Sequence, residues 1–138
     1  MRVLTNTEIV DLLAGHLAIL EVDMNRGIIN WATKTLEEMF GYRIPGDLEG
    51  RPVEVLIPDD KREKHSKEHR PSFAANPEPR LMGRLLALQG RRQNGTVFPV
   101  EVMLLPKAAN LQRVVVAVVF DLSDRNVAAK IPSLSKHD

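Results

Sequence analysis

The last third of the chain constrains the fold most. Residues 81–89, 97–105 and 113–122 are three runs dense in branched apolar side chains. Asn94-Gly95 separates the first two, and the stretch from Pro106 to Gln112 separates the last two. Branched side chains lose rotamer freedom in a helix but fit the pleated surface of a strand. Asn-Gly accepts the positive φ that a tight hairpin requires. An antiparallel meander follows, and one face of it must be covered by whatever precedes it.

The preceding residues supply that cover. Thr5 and Glu8 have the spacing of a capping box, and Ile9, Leu12, Leu13 and Leu17 recur at helical intervals, so an amphipathic helix opens the chain and stops near Gly15. Residues 17–23 read as a strand that turns through Asn25-Arg26-Gly27 into Ile28-Ile29-Asn30, a second strand paired with the first. Asn30 is placed to cap a helix over residues 32–40, where Leu36, Met39 and Phe40 share a face and Gly41 ends it. Pro45, Gly46, Gly50 and Pro52 allow only short turns. Pro58 with Asp59 and Asp60 begins another helix, which should fade by Pro71. The fold class is therefore α+β: a five-stranded antiparallel sheet with short helices over one face and an N-terminal amphipathic helix.

With 138 residues there is room for one domain and its core, but not for two of ordinary size. Lys and Arg number 19 against 18 Asp and Glu, a net charge of +1, so there is no charge excess of the kind that binds nucleic acid directly. The chain has no cysteine, which removes disulfides, thiolate metal ligands, cysteine nucleophiles and flavin-thiol photochemistry. The first residues include Glu8 and Asp11 and do not read as a signal peptide. The longest apolar run, from Val114 to Phe120, is far short of the roughly 20 residues that cross a bilayer. The expected location is cytoplasmic, with no membrane association.

Three further segments carry a family resemblance. They are Val22-Asp23-Met24-Asn25-Arg26-Gly27-Ile28-Ile29-Asn30-Trp31-Ala32 followed by Met39-Phe40-Gly41-Tyr42; Arg80-Leu81-Met82-Gly83 with Gly90-Arg91-Arg92-Gln93-Asn94-Gly95-Thr96-Val97-Phe98-Pro99-Val100-Glu101; and Asp121-Leu122-Ser123-Asp124-Arg125. In this order and spacing the chain resembles a PAS domain over residues 17–125. Residues 1–16 are then a dimerisation helix and residues 126–138 a tail. The resemblance implies a curved sheet under helices that enclose an apolar cavity. It also implies a sensing or interaction module, not an enzyme, that binds a small ligand or a partner. Homodimerisation through Ile9, Val10, Leu12 and Leu13 is expected, with output to a separate effector such as a kinase or a transcription regulator. A ligand-free docking or dimerisation module is the other reading.

The same resemblance names candidate site residues. Trp31, Phe40, His65, His69, Phe73, Met82, Leu86, Leu88, Val102 and Leu104 are the residue types that line a pocket in such a fold, although most would serve equally as core. His65 lies seven residues after Pro58 and matches the axial histidine of haem-binding PAS sensors, so it is the one candidate metal ligand. Against haem, Leu86 falls where those sensors carry an oxygen-stabilising arginine, and an anchoring role for His65 on its helix remains open. No cofactor is otherwise indicated. His65-Ser66-Lys67-Glu68-His69 spells a zinc-peptidase motif, but no third ligand accompanies it. Arg80, Arg91 and Arg92 read as solvated or surface-paired cations.

Overall fold

A computed structural model describes residues 16–83, 88–109 and 112–123, together with residues 3, 5 and 6. Strand β1 (Ala18–Asp23) alternates strictly, with Ala18, Leu20 and Val22 buried and their neighbours half-buried. This period of two gives the sheet one core face. The Asp23 carboxylate accepts the amides of Asn25 at 2.9 Å and Arg26 at 3.0 Å, closing the turn into β2 (Ile29–Ala32).

Helix α1 (Lys34–Met39) is capped by Thr33 and not by Asn30. The Thr33 hydroxyl accepts the amides of Leu36 at 3.2 Å and Ile19 at 3.0 Å and donates to the Leu17 carbonyl at 2.9 Å, so one side chain starts the helix and ties it to β1. Asn30 instead remains in β2 and donates to Glu21 at 3.0 Å.

After a 3-10 turn (Val53–Leu56), the chain enters a long helical run, here α2. It comprises a 3-10 turn (Asp59–Lys61), an α-turn (Arg62–Lys64), a π segment (His65–His69) and a final α segment (Arg70–Ala75). The helix thus passes through Pro71, where the sequence suggested it would fade. The Arg70 amide donates to the His65 carbonyl, five residues back, and this widened turn makes room for a ring that would otherwise press on the preceding turn.

The expected strand over residues 81–89 is two short strands, β3 (Arg80–Met82) and β4 (Gln89–Arg91), both paired with β5 (Val97–Ala109). The break falls at Gly83, whose φ is +113° and where an added Cβ would lie 2.7 Å from the Val100 carbonyl oxygen. The sheet therefore has six strands, in the order β2-β1-β6-β5-β3 with β4 also on β5. β6 (Gln112–Asp121) completes it.

Strand β5 runs through Pro106, where the sequence suggested an end. Even-numbered residues of β5 aim their N–H at the β3/β4 side, as Val100 does in donating to the Leu88 carbonyl. β3 ends opposite Leu104, so Pro106 lies where no donor is required.

Ala18, Leu20, Val22, Phe98, Val100, Val115, Ala117 and Val119 form the inner face, and Ile29, Leu36, Phe40, Leu48, Leu56 and Phe73 close over it in one cluster. The opposite face carries a cross-strand row, Ile19–Val118–Met103–Leu81, read from the pairings across four strands. The adjoining row is Trp31–Glu21–Val116–Leu105. The four apolar side chains Trp31, Leu81, Met103 and Leu105 in these rows are exposed, at 38%, 41%, 36% and 39%.

Candidate functional site

Five of the ten candidate residues join or pack against the core, and a sixth pairs with one of them. Phe40 and Phe73 are buried in the core cluster, and Leu88, Val102 and Leu104 pack against it. Met82 is half-buried and paired with Val102 on the same face. These side chains meet one another: Phe40 and Phe98 stand edge to face with centroids 5.1 Å apart, and Leu36, Ile29 and Leu48 are 0% exposed. Trp31 does not join them. It faces solvent on the far side of the sheet, because its pairing with Glu21 assigns it to the outer row. Leu86 and the proposed dimerisation residues Ile9, Val10, Leu12 and Leu13 lie outside the described residues, as do most of the opening helix and the tail from residue 126.

His65 is half-buried on α2. Its Nδ1 sits 2.7 Å from a Glu54 carboxylate oxygen, and its side chain is 27% exposed. The same oxygen of Glu54 is 3.5 Å from Nε of Arg70, so one carboxylate joins the 3-10 turn to two positions of α2. Arg70 also donates to the Asn25 carbonyl at 3.3 Å, which extends the network to the β1–β2 turn. His69, one turn further on, is exposed. Among the described residues no group of three or more His, Asp and Glu could hold a metal ion.

Three charged side chains that sequence reasoning missed, Glu37, Asp47 and Arg51, secure the walls. Glu37 is 3% exposed, and its carboxylate accepts the amides of Gly46 at 3.1 Å and Leu48 at 3.2 Å. It thereby satisfies the turn that follows α1 from inside the protein. The only sequence signal was the breaker-rich turn itself, whose buried amides need an acceptor. Nearby, Asp47 hydrogen-bonds Arg51 and holds its guanidinium pKa above the ordinary value, chiefly through that bond and then through its charge.

Arg92, expected as a solvated or surface-paired cation, is paired but half-buried. Its guanidinium lies 3.8 Å from the Phe98 ring centroid, donates to Asp121 at 3.0 Å and to the Met39 carbonyl at 3.1 Å. It clamps β4, β6 and the end of α1 together, with a stacking geometry that the planar guanidinium suits. Arg91 does make a surface pair, with Asp59 at 3.3 Å, while Arg80 stands 5.6 Å over the Phe73 ring.

Two surface recesses accompany this framework. The larger, about 290 Å³, lies between the C-terminal half of α2, the β1–β2 turn and the start of β6; the smaller, about 170 Å³, shares Met24 and Arg113 with it.

The arrangement matches known proteins in both sequence and shape. A family model for the PAS domain covers residues 16–124. The crystal structure of a PAS domain from Colwellia psychrerythraea superimposes with a TM-score of 0.67 at 18% identity, covering 88% of this chain and 100% of that one. A light-oxygen-voltage domain, studied with a flavin analogue, gives a TM-score of 0.65 at 14% identity and covers 96% of each chain. A PAS domain from a two-component sensor histidine kinase gives 0.58 at 14% identity, covering 84% of this chain and 99% of that one. The element order, the split edge strand and the family match together make this chain a member of the PAS domain family, a family of sensory modules.

Proposed function

We propose that this PAS domain is a signal-transmitting interaction module that pairs with a second copy of itself through the outer face of its sheet and passes a conformational change to a separate effector. The observation that carries this reading is the apolar row Ile19–Val118–Met103–Leu81, with Leu81 and Met103 open to solvent. Contiguous apolar surface on a soluble domain marks a contact site. The interior favours docking over a large cavity ligand, since the inner face is filled by the protein's own Phe40, Phe98, Leu36 and Leu48. A sensor histidine kinase is among the proteins whose PAS domains share this fold, which supports a kinase or transcription regulator as the effector class.

A signal acts on such a module by binding one of two arrangements more tightly than the other. The expected readout is a change in the dimer equilibrium. Light scattering across a concentration series tests the reading: the parent protein gives a dimer, and Met103→Glu gives a monomer with its fold retained by circular dichroism. A parent protein that stays monomeric at every concentration, or a Met103→Glu dimer of unchanged affinity, would sink it.

A further inference from the structure

The larger surface recess has an unusual charge balance. Its floor is apolar, made by Met24, Pro71, Ala74 and Ala75, while Arg70 and Arg113 stand at its walls. Arg70 is held in place on every side. An added Cβ on Gly27 would lie 2.6 Å from its Cζ, so the guanidinium rests directly on the turn backbone. Glu54 lies 3.5 Å from its Nε, yet that nitrogen is buried without a hydrogen-bond partner.

Arg113 differs. Its side chain is exposed, its guanidinium donates to the Ala74 carbonyl, and it pairs with no carboxylate among the described residues. The adjoining smaller recess brings Lys107, whose ammonium lies 3.7 Å from Glu21. Arg70 and Lys107 each have one acidic neighbour, and among the described residues Arg113 has none.

We propose that this groove binds a small aliphatic carboxylate, with its head on Arg113 beside Arg70 and its hydrocarbon body on Met24, Pro71, Ala74 and Ala75. A guanidinium offers a planar fork of donors that matches a carboxylate, and the bond is charge-assisted on both sides. The apolar floor selects against inorganic phosphate, which has no hydrocarbon to bury and a fuller hydration shell to lose. Occupancy bridges α2 to the first residues of β6, the strand that continues into Val116 and Val118 on the outer face. The site does not depend on self-association through the sheet, and its ligand class is independent of that reading.

Sodium butyrate and its uncharged isostere butyramide are the probes, titrated at constant ionic strength while backbone amide NMR shifts are followed. Butyrate is expected to move the Asn25, Ala74 and Ala75 amides saturably, and butyramide to leave them in place. Arg113→Gln should weaken butyrate binding by at least about tenfold, the loss of one charge-assisted hydrogen bond. Ala75→Glu, which leaves both arginines intact, should do the same by placing a like charge on an exposed floor position. The proposal fails if butyramide shifts these amides as butyrate does, if no shift saturates, or if both variants bind butyrate like the parent. Inorganic phosphate competing more tightly than butyrate would overturn the choice of a carboxylate. The same titration on Met103→Glu keeps the two readings apart, since binding by that monomer supports the groove whatever becomes of the dimer.

Discussion

Removing the Glu37 carboxylate should cost this domain a large share of its stability, although the residue touches no ligand. Its two oxygens accept amides from Gly46 and Leu48, and Leu48 is 0% exposed. In Glu37→Ala the Leu48 amide is left buried with no acceptor, at about 1–3 kcal/mol, while the exposed Gly46 amide turns to water at about 0.5–1 kcal/mol. The sum is about 3 kcal/mol, against a total of about 5–15 kcal/mol for an ordinary domain. Glu37→Gln keeps one acceptor oxygen but turns an NH2 toward a donor, and should cost about half as much. In urea, with a slope of about 1.5 kcal/mol/M, the midpoint falls by about 2 M for Glu37→Ala and about 1 M for Glu37→Gln. Amide exchange at Leu48 should accelerate in step. A midpoint shift below about 0.5 M at unchanged slope, or a large shift with Leu48 still protected, would refute the assignment of this carboxylate as the turn's internal acceptor.

Two further perturbations test the framework. Gly83→Ala places a Cβ 2.7 Å from a backbone oxygen at a φ of +113°, and should lower stability by about 2–4 kcal/mol, whereas Gly50→Ala, with φ +81° and nothing within 4 Å, should lose only about 1 kcal/mol; thermal melts that rank the two equally would contradict the close approach at Gly83. Arg92→Ala should lose about 2–3 kcal/mol from its Asp121 pair and Phe98 stack, and Arg92→Lys should recover less than half of that in urea unfolding. A lysine that restores full stability would show that charge alone, and not the planar stack, holds the clamp.

Strand and turn signals were legible because they are local. The alternation of Ala18, Leu20 and Val22 and the Asn94-Gly95 turn depend on nothing beyond their own segments. Elements failed to match where distant backbone decides the outcome. Gly83 breaks an apolar run because β5 passes too close for a side chain, and Pro106 is tolerated in β5 because β3 has already ended. Pro71 sits within a helix because the turn before it widened. Of the candidate pocket residues, Phe40, Phe73, Leu88, Val102 and Leu104 join one apolar cluster, as apolar residues must. Trp31 went to the other face, since a strand's register sends neighbouring residues to opposite sides. Glu54 and Arg92 gave no warning, and Glu37 only the breaker-rich turn that follows it, because a charged residue shows its role only once its partners from other segments are in place.

The two edges of the sheet have a consequence for how the molecule can fail. On one side β2 is only four residues long, and backbone bonds from residues 50–53 already engage Gly27 and Ile29 beside it. On the other, the strand bordering β5 is interrupted between Met82 and Gln89, leaving two pieces of three residues each. Among the described residues neither margin presents a long ladder of unpaired amides and carbonyls to an incoming strand. Growth by strand addition, the route to fibrils, is blunted at both of these margins.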